Sequence, residues 1–235
     1  MSEHLSKQFD SELDDLRALL TRMGGLVEEQ VRATTLALAE GDADRVEQVI
    51  ARDAEVDQFE IEIDNICTHV IAKRQPTAVD LRVVMMVSKT VTDLERIGDE
   101  AKKIAKSTRK IIERGLATGM PQIMAVRHMG EQCAAMLHDV LNAFVRMDAD
   151  AALQVVRKDK EIDQSFRSIT RELVTYMMED PRTISNALDI IFSVKSLERI
   201  GDHCKNIAKD VIFVVGGRDV RHLKLDELEQ EAAAR

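Results

Sequence analysis

Two copies of one hexapeptide, Leu-Glu-Arg-Ile-Gly-Asp, stand at residues 94–99 and 197–202. Each places a glutamate four residues before an aspartate. On a helix that spacing stacks Glu95 over Asp99, and Glu198 over Asp202, one turn apart on the same face. Asp53 with Asp57 and Asp159 with Asp163 repeat it upstream of each hexapeptide. Convergent carboxylates repel one another by about 1 to 4 kcal/mol at 4 Å in wet to intermediate surroundings, so such a set calls for cations. Oxygen donors suit Mg²⁺, Ca²⁺ or Mn²⁺, and carboxylate clusters also hold iron; Zn²⁺ more often recruits His or Cys. His203 follows Asp202 directly, whereas Glu100 follows Asp99.

Catalytic constellations are poorly represented. Helical di-iron oxidases supply Glu-x-x-His from two helices, and this chain has no such tetrad; the nearest, Asp219-x-x-His222, falls in the tail. No Gly-rich phosphate loop occurs, and Cys67, Cys133 and Cys204 form no Cys-x-x-Cys. No nucleophile–base pair appears among these residues, and a binding protein is one reading. A carboxylate-bridged metal-dependent enzyme and a metal-buffering protein are the alternatives.

The elements that must position these acids are helices. Aromatic residues make up 3% of the chain, with no Trp, one Tyr and three Pro, a composition that lacks strand signals. Aligned on itself, the chain pairs Met23-Gly24 with Met129-Gly130 and Asp42-Ala43-Asp44 with Asp148-Ala149-Asp150. Gly41, with Asp42 placed to cap, ends a first helix over about 5–39 and starts a second that continues to about Lys73. The Gln75-Pro76-Thr77 turn opens a third, to about Arg114, with Pro near its first position. Corresponding helices are expected over about 122–146, 148–179 and 181–215. The reading is all-α: two tandem, pseudo-symmetric antiparallel three-helix bundles, residues 1–115 and 120–217, with a charged tail at 218–235.

Within the third helix Leu94, Ile97, Ala101, Ile104 and Ala105 form the apolar stripe, which leaves Glu95 and Asp99 off the core. Asp57 lies 19 residues before Pro76 and Glu95 lies 19 after it, while Asp53 and Asp99 are each 23 away. In antiparallel helices these four acids are level, and the second half nearly repeats the arrangement around Pro181. Two four-carboxylate clusters are expected. Gly98 and Gly201, mid-helix at a cost of about 1 kcal/mol each, point to a close approach. Lys102, Lys103, Lys106, Arg109 and Lys110, echoed by Lys205 and Lys209, read as a solvated face that complements the helix dipole.

A net charge of −9 argues against a nucleic-acid binder, which needs a basic face. The polar Met1–Asp10 segment has no signal-peptide core, and the longest tight apolar run, Val211–Val215, is too short to span a bilayer. Three separated cysteines fit reduced thiols in the cytoplasm.

At these residues the chain resembles the PhoU family, the phosphate-specific transport system accessory proteins. The likeness covers nearly the whole chain and rests on Gln-Pro-Thr-Ala-Val-Asp-Leu-Arg at 75–82, the paired Glu-Arg-Ile-Gly-Asp segments and their order and spacing. The resemblance implies metal binding (Mg, Mn, Fe or Zn) on Glu95 with Asp99 and Glu198 with Asp202, with Asp53, Asp57, Asp159 and Asp163 as partner acids. It also implies regulation rather than catalysis: a non-enzymatic negative regulator of the phosphate-starvation response that works as a homodimer. Such a protein would be cytoplasmic and would reach the inner membrane through the Pst phosphate transporter ATPase and a sensor histidine kinase. Arg82, Arg96 and Arg199 are the candidate partner-binding residues. Pro181-Arg182-Thr183-Ile184-Ser185-Asn186 departs from the first-half pattern, so any role of Asp80 and Arg82 carries over once only.

Overall fold

The computed structural model describes residues 2–76, 78–115, 120, 122–217, 223 and 227, with only the backbone described for residues 2–10 and 78. Among the described residues there is no strand. Six long helices run α1 (Ser2–Glu40), α2 (Ala43–Arg74), α3 (Ala78–Glu113), α4 (Ile123–Arg146), α5 (Ala149–Glu179) and α6 (Ile184–Gly216). None is long and apolar enough to cross a membrane. Of the expected tail only Leu223 and Glu227 are described; Leu223 packs against the core, and its carbonyl accepts a 3.1 Å hydrogen bond from Lys209 Nζ.

Local chemistry sets the helix ends. The Asp42 carboxylate accepts from the Arg45 backbone N–H at 2.9 Å and the Asp148 carboxylate from Ala151 N–H at the same distance, so the two halves share one N-cap. Before each cap one residue is left-handed: Gly41 (φ 68°) in the first half and Met147 (φ 50°) in the second. The proline turns differ from expectation. Pro76 precedes α3, which begins at Ala78, and Pro181 opens a short 3-10 turn (Pro181–Thr183) capped by Asp180, so α6 starts at Ile184.

Helices α1–α3 and α4–α6 each fold as an antiparallel bundle, and the two join through α1 against α4 and α3 against α6. Helices α2 and α5 flank this central group. One continuous core runs through both halves, from Leu16, Leu20 and Ile97 to Phe144, Leu197 and Ile200.

The join has a pseudo-two-fold axis. Along α3 and α6, Lys89 pairs with Asp210, Glu100 with Arg199 and Arg114 with Asp189, so the helices run antiparallel. Glu100 faces Ser196 and His203 faces Asp93, contacts that exchange when the repeats exchange. Between α1 and α4 the reciprocity is carried by glycine. A Cβ on Gly24 would lie 2.6 Å from Leu141 Cδ1 and one on Gly130 would lie 2.3 Å from Thr35 Cγ2. Thr35 and Leu141 are themselves repeat equivalents. This isologous geometry is that of a two-fold dimer written into one chain.

Candidate functional site

The acids of the first bundle sit along the seam between α2 and α3. Asp53 is buried, Asp57 exposed, and Glu95 and Asp99 half-buried, as their position off the apolar stripe requires. Glu60, which the sequence reading passed over, joins them. Its spacing on one α2 face, Asp57-x-x-Glu60-x-x-x-Asp64, is the signal that could have found it. Burial, then repulsion from Asp99, Glu60 and Asp57, lifts the Glu95 carboxyl above the usual carboxylate range. Burial, followed by repulsion from Asp64 and Asp57, does the same to Glu60. Arg96, exposed on the next position of α3, opposes both shifts.

The second bundle is not its equal. Asp159 is buried, Asp163 and Glu198 are half-buried, and Asp202 is exposed. Phe166 occupies the place of Glu60, with Lys195 Nζ 5.4 Å from its ring centroid and 2.5 Å from Glu198. Lys205 reaches Asp159 at 2.6 Å and Asp202 at 3.2 Å. Two lysines thus answer the second set of carboxylates.

The expected solvated role of Lys102 and Lys205 is corrected here. Lys102 Nζ donates to Asp53, and Lys205 does the equivalent for Asp159. Each buried carboxylate is neutralised by a lysine three residues past the aspartate of its hexapeptide. Hydrogen bonding to Asp53 holds Lys102 above the usual lysine range; Asp159 and Asp202 do so for Lys205 although burial works against its charge. Burial lifts the Asp159 carboxyl and Lys205 opposes the lift.

Gly98 and Gly201 owe their place to packing. A Cβ there would stand 3.3 Å from Val56 Cγ1 and 3.1 Å from Ile162 Cγ2, repeat-equivalent residues of α2 and α5. His203 faces α3, its Nδ1 2.8 Å from Asp93 Oδ1. Arg199 reaches Glu100 of the other bundle at 3.3 Å, and Lys103 reaches the same oxygen at 2.9 Å. With Ser196 these hold the buried Glu100 carboxyl below the usual range against the effect of burial. Arg82 is half-buried and its Nε is buried without a hydrogen-bond partner. All three cysteines are buried and free, and burial pushes the Cys67 thiol up to about 12 and Cys133 and Cys204 well up, which leaves them inert as nucleophiles.

The donor set of the first cluster is hard, acidic and mutually repelling, the chemistry a divalent cation relieves. As placed, no three His, Cys, Asp or Glu side chains among the described residues meet around a single point.

Comparison with known proteins recovers the same duplication. The PhoU domain model matches twice, over residues 20–108 and 126–211. The chain belongs to the PhoU family. It is 47% identical over 232 residues to the phosphate-specific transport system accessory protein PhoU homolog of Pseudomonas aeruginosa, covering 98% of this chain and 95% of that one. The crystal structure of PhoU from Pseudomonas aeruginosa superposes with a TM-score of 0.86 at 48% identity, covering 89% of this chain and 100% of that chain. The phosphate transport system regulatory protein PhoU from Streptococcus pneumoniae gives a TM-score of 0.82 at 31% identity, covering 90% and 99%. PhoU membership thus spans both bundles, and with it the two acidic seams.

Proposed function

We propose that the chain is a non-enzymatic accessory regulator of a phosphate-specific transporter. In this reading it links the Pst ATPase to a phosphate-sensing histidine kinase and holds the phosphate-starvation response off when phosphate is plentiful. The observation that carries the reading is the PhoU match across both halves, to relatives named as accessory and regulatory proteins of phosphate transport. The molecule offers surfaces for partners and cations: acidic seams on its flanks and the α3/α6 face along the pseudo-dyad, where Arg96 and Arg199 are exposed. It works as a homodimer and meets the cytoplasmic side of the inner membrane through those partners.

Deleting the gene should switch phosphate-starvation reporters on in high phosphate; reporters that stay silent would sink the regulatory reading. Co-purification with the transporter ATPase and with the kinase, at high and low phosphate, tests the adaptor role. Sedimentation of the purified chain tests the dimer, and substrate turnover by metal-loaded protein, lost in Glu95→Ala, would reinstate the enzyme alternative. Metal binding belongs to the same proposal. Elemental analysis of protein purified without chelators should find metal that disappears when Glu95, Asp99, Glu198 and Asp202 are all replaced by Ala.

A further inference from the structure

Gln30 and Thr34 stand one turn apart on α1 and are 2% and 0% exposed. Both amide atoms of Gln30 and the Thr34 hydroxyl are buried with no hydrogen-bond partner among the described residues. Unpaired polar groups in a core cost stability, and native proteins pair nearly all of them, with protein or with ordered water. The second bundle has Met136 and Val140 at the repeat positions, both buried. The polar pair is therefore a property of one half and not of the repeat.

The pair sits where the core of the first bundle divides. A Cβ on Gly98 would lie 3.4 Å from Gln30 Oε1 and 3.3 Å from Val56 Cγ1, which sets Gln30 level with Gly98 of α3 and Val56 of α2. Asp53, one turn from Val56, accepts from Lys102 at the outer edge of the same layer. Past this layer, toward the α1/α2 turn, Ala37, Val46, Val49 and Ala105 form a small cluster of their own, with Ala33, Ile50 and Ile112 packed around it. Their repeat equivalents, Ala143, Ala152, Val155 and Ala208, all belong to the continuous core, as do Met136 and Val140. Apolar contact thus runs unbroken through the second bundle and is interrupted in the first. The second bundle is also closed at this level by Leu223, which packs against the core with its carbonyl 3.1 Å from Lys209 Nζ. The matching end of the first bundle is clasped by Arg52 with Glu29 at 2.8 Å and Arg109 with Glu47 at 3.2 Å. Exposed ion pairs of this kind add little.

We propose that Gln30 and Thr34 hold an internal water, and that this wet layer makes the α1/α2 end of the first bundle, residues 33–50, a unit that opens locally while its counterpart at 139–156 stays closed. An amide that both donates and accepts, beside a hydroxyl, supplies the about two to four partners that a buried water needs. A layer bridged by water gives up the dispersion contacts that Met136 and Val140 make in the other half, so the small cluster beyond it parts from the rest at lower cost. Segments at the low end of a protein's local stability are the ones that move when it changes state. The first bundle would carry that yielding segment.

The test follows amide hydrogen exchange of the full chain by mass spectrometry under native conditions. After correction for intrinsic rates, residues 33–50 should exchange about tenfold faster than 139–156, or more. The double variant Gln30→Met/Thr34→Val, which borrows the residues of the second half, should slow exchange in 33–50 by about tenfold and raise the Tm. The reciprocal Met136→Gln/Val140→Thr should speed exchange in 139–156 and lower the Tm. Water magnetic relaxation dispersion detects long-lived internal waters, and Gln30→Met/Thr34→Val should lose signal relative to the parent. Circular dichroism and a single cooperative melt show that each variant folds. Where one does not, the two segments of the parent still decide, because their comparison needs no substitution. Equal exchange in the two segments would overturn the proposal. So would a Gln30→Met/Thr34→Val variant that is less stable than the parent or that keeps the parent's internal-water signal.

Discussion

Asp53 and Asp159 are buried carboxylates balanced by one lysine each, Lys102 and Lys205, whose side chains remain 28% and 29% exposed. Removing one partner of a buried pair leaves a charge without compensation, a loss of about 3–5 kcal/mol when both are sealed from water. With the lysines partly wet, Lys102→Met should cost about 2–3 kcal/mol in urea denaturation, and adding Asp53→Asn should recover more than half of it. Lys195 and Lys205, which face Glu198 and Asp202, explain why the two seams will respond unequally to cations. Glu95 and Glu60 are raised by burial and then by neighbouring carboxylates, whereas Glu198 and Asp202 already have lysines against them. Calorimetry at neutral pH should show Mn²⁺ or Mg²⁺ raising the Tm. Glu95→Gln should remove most of that rise and Glu198→Gln much less; equal effects would mean that the seams are equivalent after all.

Among elements, α1 and α4 show what glycine does in each of two settings. Gly25 is exposed, and a methyl group added to it would meet nothing within 4 Å, while one added to Gly130, across on α4, would lie 2.3–2.7 Å from the Thr35 side chain. Gly25→Ala should therefore stabilise by about 0.5–1 kcal/mol through helix propensity alone. Gly130→Ala should destabilise by about 1–3 kcal/mol through overpacking of the α1/α4 crossing. Thermal denaturation of the two variants gives opposite signs if the crossing is as described. At the far end of the first hairpin, Arg74 of α2 holds Glu12 of α1 with bonds of 3.0 and 2.7 Å, and this keeps the Glu12 carboxyl below its ordinary range. A depressed carboxylate contributes stability above its unfolded value and loses it as pH falls through the folded one. Urea denaturation across mildly acidic pH should accordingly show a steeper loss in the parent than in Glu12→Gln.

At the scale of the molecule, the two bundles share a core that neither completes alone. Ile97 and Leu94 of α3 and Leu197 and Ile200 of α6 belong to one continuous cluster. A fragment ending near Gly115 would expose the faces of α1 and α3 that pack on α4 and α6. Expressed separately, the halves should aggregate or remain poorly folded, and co-expressed they should associate into a species with a native-like helical spectrum. A soluble, cooperatively folding first half would show that the join is dispensable. The symmetric frame carries unlike chemistry, with Phe166 at the repeat position of Glu60 and Phe192 at that of Lys89, so the two halves match in fold and differ in surface.

The repeat, the six helices, the Asp42 cap and the displacement of Glu95 and Asp99 from the apolar stripe were all determined by sequence, because each depends on residues within one or two turns of the same helix. The seam between α2 and α3 was also legible, since a hairpin turn fixes which residues are level. Three things were decided only by tertiary structure. Lys102 and Lys205 reach across a seam to Asp53 and Asp159, Arg199 reaches across the pseudo-dyad to Glu100, and Gly24 and Gly130 mark a crossing of helices. Periodicity says which side of a helix is apolar and not which other helix will cover it. The partners of a long flexible lysine or of a bare glycine are set by that choice, so the charge each acidic cluster presents emerged only from packing.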